Sequence, residues 1–266
     1  MHYVISDIHG CYREYTALLK KINFSDRDYL YVLGDAVDKG PNPMDVLKDM
    51  MGRDNVTFII GNHDFLFFHF LKKSGFTICD FTDKADLQDF AMYLQDGGIS
   101  TVETFLALSD DEKRAVYDFL GDASVYETIE YDGNRYILVH AGIAGFDERI
   151  PLEYYEYTAF IFERMDYSKR YYQDKNTYII TGHTPTFYIE KDFFAKKNKK
   201  PEIYTANGHI AIDCGCVYGG RLAAYCIETG LSEYVDYISG NAKEAEKRKE
   251  LEMALESKEW HEKNLK

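Results

Sequence analysis

No apolar run in this chain approaches the ~18–20 residues needed to cross a bilayer. Nor does the chain open with the charged, apolar and small-residue order of an export leader. Neither a membrane span nor secretion is expected. Positive charge is also scarce: 31 Lys and Arg against 45 Asp and Glu leave a formal net charge of -14. That balance argues against a nucleic-acid polymer as partner, because phosphate backbones attract basic surfaces. A small phosphorylated substrate stays open. Cysteines are few and odd in number, at Cys11, Cys79, Cys214, Cys216 and Cys226, which reads as reduced thiols in a cytoplasmic protein. Cys214-Gly215-Cys216 lacks the second pair a thiolate zinc site needs, so small buried residues at a strand end are expected there.

What is present is a set of short apolar runs that each stop at a polar residue. Tyr3–Ser6 ends at Asp7 and His9, Tyr29–Leu33 at Asp35 and Asp38, and Val56–Ile60 at Asn62 and His63. Each is followed by a segment that can start a helix; Tyr15, Leu18, Leu19 and Ile22 recur at helical spacing in the first. Strand, loop and helix in alternation predict parallel βαβ units, whose ligands bind beyond the carboxyl ends of the strands. From Phe65 to about Gly121 the rhythm breaks into a mostly helical insert, with Gly97-Gly98 as an expected turn and Asp110-Asp111-Glu112 opening a helix.

Strands resume at Val125–Tyr131 and Arg135–Val139 around Asp132-Gly133-Asn134, a hairpin signal. Further strands are expected at Tyr178–Ile180, Ile210–Asp213 and Leu222–Ile227, with a turn at Thr229-Gly230. His140 and His183 end two more apolar runs. The expected fold is α/β: a two-sheet β-sandwich flanked by helices. The expected organisation is a catalytic domain over 1–238, containing the helical insert 65–121, and a charged C-terminal helix over 239–266.

Hard oxygen and nitrogen ligands converging from five strand ends suit a dinuclear metal site. Two cations ~3.5–4 Å apart can share a hydroxide and clamp both the attacking and departing oxygens of an in-line displacement. Asp35, on the middle strand end, is the candidate bridge. Asp7 and His9 would hold one ion, and Asn62, His140 and His183 would complete the other. His63 is placed to supply the leaving oxygen with a proton, and Asp38 to orient its ring. Lys39 and Arg164 are candidate cationic clamps on the phosphoryl group. His2, His69, His209 and His261 are expected to be ordinary polar groups. Gly10, Gly34, Gly40, Gly61, Gly142 and Gly182 flank the ligands, and independent helix caps do not account for that joint pattern.

Asp7-Ile8-His9-Gly10, Gly34-Asp35-Ala36-Val37-Asp38-Lys39-Gly40, Gly61-Asn62-His63-Asp64, His140-Ala141-Gly142 and Gly182-His183-Thr184-Pro185 resemble the ordered signature of calcineurin-like metallophosphoesterases. Within them the chain is similar to bacterial and phage serine/threonine protein phosphatases. The resemblance covers roughly residues 1–235. It implies the four-layer sandwich of that family and a dinuclear centre of manganese or iron type. It also implies metal ligation by Asp7, His9, Asp35, Asn62, His140 and His183, general-acid work by His63 with Asp38, and phosphate binding by Arg164. Zinc and cobalt suit the same ligands.

Two positions depart from the pattern. Lys39 stands where the family usually has arginine, keeping the charge but losing the bidentate fork. Asp64 stands where protein phosphatases usually have glutamate, an ending shared with symmetrical diadenosine-tetraphosphate hydrolases. Those enzymes typically lack the acid present here as Asp38. The expected activity is phosphomonoester hydrolysis of the phosphoserine/phosphothreonine type, acting on phosphorylated proteins or small phosphoesters. Dinucleoside polyphosphate hydrolysis is the alternative.

Overall fold

The computed structural model describes residues 1–76, 83–190, 193 and 199–238. Cys79, His261 and the expected helix over 239–266 lie outside the described residues. The first half runs β1 (His2–Ile5), α1 (Tyr12–Lys21), β2 (Tyr29–Leu33), α2 (Pro43–Met51), β3 (Val56–Ile59) and α3 (Asn62–Ser74). Then follow α4 (Lys84–Tyr93), a π-helical turn at Leu94–Gly98, α5 (Ile99–Leu106) and α6 (Asp110–Gly121). The second half holds β4 (Tyr126–Tyr131), β5 (Asn134–Val139), two 3-10 turns at Leu152–Tyr154 and Tyr157–Phe160, β6 (Thr177–Thr181) and α7 (Thr186–Ile189). It closes with β7 (Tyr204–Ala206), β8 (His209–Ala211), a 3-10 turn at Cys216–Tyr218, β9 (Arg221–Cys226) and β10 (Ser232–Asp236).

The strands form two five-stranded sheets, ordered β10-β9-β1-β2-β3 and β4-β5-β6-β8-β7. β1, β2 and β3 are parallel, as are β5, β6 and β8, while β9, β10, β4 and β7 pair antiparallel at the edges. Alternation of side chains decides which layer each strand residue enters. Val4, Leu33 and Ile59 of the first sheet meet Tyr136, Leu138, Ile180 and Ile210 of the second, sealing the sandwich. On the other face of the first sheet, Ile5, Leu30, Val32 and Phe58 pack with Leu18 of α1, Leu47 of α2 and the insert residues Phe67, Phe70, Tyr93 and Phe105. Ile137, Val139 and Ile179 turn outward from the second sheet onto Leu152, Phe160 and Ile161, so 3-10 turns and loops form the fourth layer.

Local signals explain much of this. α1 buries Tyr15, Leu18 and Leu19 and ends on Lys20 and Lys21, which suit the negative end of its dipole. α6 starts in a capping box between Ser109 and Glu112. The β4–β5 hairpin pairs Tyr131 with Asn134, so its loop is only Asp132-Gly133, both at positive φ, the geometry of a primed turn. Asn134 therefore belongs to the strand. Gly97-Gly98 is not a simple turn but part of the π-helical segment, where Gly97 has φ 108°. The insert shares the main core through Phe67, Phe70, Tyr93 and Phe105, so it is built into the first sheet's outer layer. No helix among the described residues is long and apolar enough to cross a membrane.

Candidate metal centre and catalytic dyad

All the polar strand ends named from the sequence lie beyond the carboxyl ends of parallel strands: Asp7 and His9 after β1, Asp35 and Asp38 after β2, and Asn62 and His63 after β3. His140 follows β5 and His183 follows β6. The backbone there is forced. Asp7, His9, Asp35, Asp38, Lys39 and His183 have φ between 45° and 68°, six of the ten non-glycine residues at positive φ among the described residues. Such left-handed turns cost energy outside glycine and cluster at functional sites. Gly61 and Gly182 are needed for close approach: a Cβ on either would collide with the carboxylate of Asp35 or of Asp7.

Asp35 sits in the middle. Its Oδ2 lies 3.5 Å from His9 Nε2 and its Oδ1 lies 3.4 Å from His140 Nε2. The N–H of His63 donates to Oδ1 at 3.0 Å. Two groups of potential ligand atoms share this carboxylate, His9–Asp35–His63 and Asp35–His140–His183, the atoms of each within 4.8 Å of one another. Asn62 Oδ1 lies 2.9 Å from both His140 Nε2 and His183 Nδ1. Asp7 accepts the N–H of His183 on both oxygens, at 3.1 and 2.9 Å, tying the first strand of one sheet to the other.

The hydrogen bonds behind these rings fix which nitrogen faces the cluster. His9 Nδ1 meets the carbonyl of Val37 and His140 Nδ1 that of Leu33, each at 2.8 Å. A carbonyl only accepts, so each Nδ1 carries the hydrogen and each Nε2 presents a lone pair. Burial pushes His140 down to about 4 and His9 and His183 well below the ordinary histidine range. The neutral Nε2 lone pairs of His9 and His140 therefore face the carboxyl of Asp35, and that of His140 also the amide oxygen of Asn62. Oxygen and nitrogen donors that converge in this way suit divalent cations. Burial, then the charge of Asp213, lifts the carboxyl of Asp7, and burial followed by Asp7 does the same for Asp35.

Beside this cluster stands a dyad. His63 Nδ1 lies 2.7 Å from Asp38 Oδ2, both residues buried. The other oxygen, Oδ1, accepts the hydroxyls of Tyr93 at 2.7 Å and Thr101 at 2.5 Å, and Thr101 Oγ1 also accepts the N–H of Asp38. Burial lifts Asp38 to about 7 despite those donors, and burial with the charge of Lys39 lowers His63. Burial thus opposes holding His63 protonated; an arriving phosphate dianion would favour it.

The two cations and the Asp64 position are also placed. Lys39 donates its N–H to the carbonyl of Gly97 at 2.9 Å and its Nζ to Tyr218 Oη at 2.7 Å. Arg164 is exposed beyond Phe160, and its charge adds to the burial that lowers His183. Asp64 faces backbone: Oδ1 accepts the N–H groups of Ala36 and Val37, and Oδ2 those of Asp35 and Gly61. It laces the loop after β2 to the loop after β3.

The histidines expected to be ordinary behave as such where described. His209 hydrogen-bonds the carbonyl of Lys169, His2 pairs with Glu228, and His69 stacks on Phe65. Cys214 and Cys216 are buried after β8 and unbridged. Sequence reasoning missed Tyr93, Thr101, Asp213 and Tyr218. Only Asp213, ending β8 as the other acids end their strands, carried a usable signal.

The chain matches the calcineurin-like phosphoesterase family over residues 3–213 and belongs to it. Symmetrical bis(5'-nucleosyl)-tetraphosphatase of Buchnera aphidicola is 48% identical over 64 residues, 23% of this chain and 23% of the relative. That match thus spans about a quarter of the relative's length. The asymmetrical bis(5'-nucleosyl)-tetraphosphatase PrpE of a Geobacillus species is 27% identical over 251 residues, covering 84% of this chain and 88% of the relative. Among solved structures, a protein serine/threonine phosphatase of Saccharomyces cerevisiae superposes with a TM-score of 0.51 at 11% identity, over 90% of this chain and 81% of that one. That likeness is one of fold.

Proposed function

We propose that this protein is a dinuclear-metal phosphomonoesterase of the protein-phosphatase type, acting on phosphoserine or phosphothreonine in cytoplasmic proteins and on small phosphoesters. The observation that carries the reading is the braced dyad. A phosphorylated serine or threonine leaves as an alkoxide, among the poorest of leaving groups, and needs a positioned acid. His63 is held at 2.7 Å by Asp38, and Asp38 by both Tyr93 and Thr101. A phosphoanhydride leaves as a stabilised phosphate and needs no such construction.

Asp7, His9, Asp35, Asn62, His140 and His183 would hold two divalent ions, with manganese the first choice and Asp35 between them. The ions supply Lewis acidity and an activated water for in-line displacement. The protein's own groups do the rest. His63 Nε2, facing away from Asp38, gives its proton to the departing oxygen, and Asp38 keeps the ring aimed. Lys39 and Arg164 contribute positive charge toward the phosphoryl oxygens; Lys39 does so while tethered to Tyr218.

Near-full-length likeness to the PrpE relative favours a second reading, hydrolysis of dinucleoside polyphosphates. Initial rates with Mn²⁺ on a phosphoserine peptide, p-nitrophenyl phosphate and diadenosine tetraphosphate separate the two. Preference for the monoesters supports the phosphatase; strong preference for the dinucleotide replaces it with the second reading.

A further inference from the structure

The side of His63 away from Asp38 is not bare. Asp96 Oδ2 lies 3.8 Å from His63 Nε2, and the Asp96 side chain is 48% exposed where the His63 side chain is 4% exposed. The carboxylate thus stands at the mouth of the site, next to the nitrogen assigned to protonate the leaving oxygen. Its position is built in. Asp96 belongs to the π-helical turn Leu94–Gly98, a rare distortion that recurs at functional sites. Tyr93 before the turn and Thr101 after it both grip Asp38. Inside the turn, the carbonyl of Gly97 accepts the Lys39 N–H. A Cβ on Gly97 would strike Lys39, and one on Gly98 would strike the Tyr93 ring, so the turn sits tight against the dyad.

A leaving oxygen must come within about 3 Å of Nε2 to take its proton, and is then no more than roughly 7 Å from the Asp96 carboxylate. Negative charge on the atoms just beyond that oxygen meets a fixed negative charge. We infer that Asp96 is a specificity-determining residue, a charge filter that disfavours anionic leaving groups and favours neutral or cationic ones. This rests on the proposed role of His63 and deepens it. A serine or threonine side chain, especially beside Lys or Arg in a peptide, passes the filter; a nucleoside phosphate is penalised. At water-like screening one unit charge is worth roughly three-fold in rate at about 7 Å and roughly two-fold at about 12 Å, the reach of a charge one aryl ring beyond the leaving oxygen, and more in a drier site.

The test uses the Mn²⁺-loaded enzyme, Asp96→Asn and Asp96→Ala, on 3-carbamoylphenyl phosphate, 3-carboxyphenyl phosphate and diadenosine tetraphosphate. The two aryl esters differ chiefly in charge on the leaving group, and intrinsic reactivity cancels when variants are compared by ratio. Both variants are expected to raise kcat/KM for the carboxylate ester about two-fold or more relative to the carbamoyl ester, with the gain shrinking in 0.5 M salt. An unchanged ratio, or an equal loss on both esters, overturns the filter and leaves Asp96 a structural part. Should the wild type cleave only the dinucleotide, the monoesterase reading fails while the filter is still read. A faster Asp96→Asn on diadenosine tetraphosphate sustains it, and an unaltered rate overturns it. Inertness on all three substrates overturns both.

Discussion

Replacing Asp64 with asparagine tests how the loops that carry the candidate ligands are held. The wild-type carboxylate receives four backbone N–H groups, from Asp35 at 2.6 Å, Ala36 at 3.0 Å, Val37 at 3.3 Å and Gly61 at 3.0 Å. An asparagine of the same shape must turn its NH₂ toward one pair of donors, either Ala36 with Val37 or Asp35 with Gly61. Two hydrogen bonds vanish and two buried N–H groups face another donor. At about 1.5–3 kcal/mol for each bond to a charged acceptor, the expected loss is about 3–6 kcal/mol. A protein of this size loses about 2–4 °C of Tm per kcal/mol, so Tm should fall by about 6–24 °C. Burial pushes the Asp64 carboxyl up to about 7, so the comparison belongs at pH 8, where the wild-type acceptor is ionised; asparagine escapes the burial cost of that charge, which sets the Tm loss toward the lower end of the range. Thermal unfolding in EDTA reads the effect free of metal stabilisation. A Tm within about 2 °C of wild type would refute the lacing role. The same variant should keep the wild-type ratio of monoester to dinucleotide turnover, because Asp64 faces backbone.

Other expectations follow from the site. His63→Asn should keep its metal content, measured by elemental analysis, while turnover of alkyl phosphates drops by about 10²–10⁴-fold; unchanged turnover would remove His63 from the acid role. Tyr93→Phe withdraws one donor from buried Asp38 and should slow poor leaving groups more than p-nitrophenyl phosphate. An equal effect on both would assign Tyr93 to packing alone. Metal uptake should release protons and tighten as pH rises. Burial keeps Asp7 and Asp35 raised, so they shed protons on binding, while lowered His9, His140 and His183 have none to lose at neutral pH. Calorimetry in buffers of different ionisation enthalpy measures the release, and affinity that falls with rising pH would contradict it.

The fold was legible where physical constraints leave local marks. An apolar run that stops at Asp, Asn or His beside glycine is an unusual local pattern, and five such stops mark five strand ends along the chain. The two-sheet arrangement followed from the switch to hairpin signals at Asp132-Gly133. Short polar strands left no such mark: β7 and β10 lack apolar alternation and are strands because a neighbour offers them an edge. The insert was harder to read. Its helical character was plain, but nothing in Tyr93 or Thr101 announces a carboxylate 55 or 63 residues upstream. Asp64 read from one letter suggested a substrate class, whereas its four contacts concern the backbone. The neighbours of Lys39 point to a phosphate clamp, and its bond to Tyr218 emerges only once the turn at Cys216–Tyr218 is in place.

The bond from the His183 N–H to Asp7 joins residues 176 apart in sequence. The candidate centre as a whole likewise draws on both sheets, so no fragment of the growing chain holds a finished site. An unfolded or half-made chain offers an ion isolated histidines and aspartates and little affinity; the completed sandwich offers them all at once. Ion binding then reports on the docking of one sheet against the other. At a free ion concentration one hundred times the dissociation constant, it would add about 2.7 kcal/mol to the folded state. Cellular metal supply and the lifetime of the fold are thereby joined: a starved protein is not only idle but easier to open.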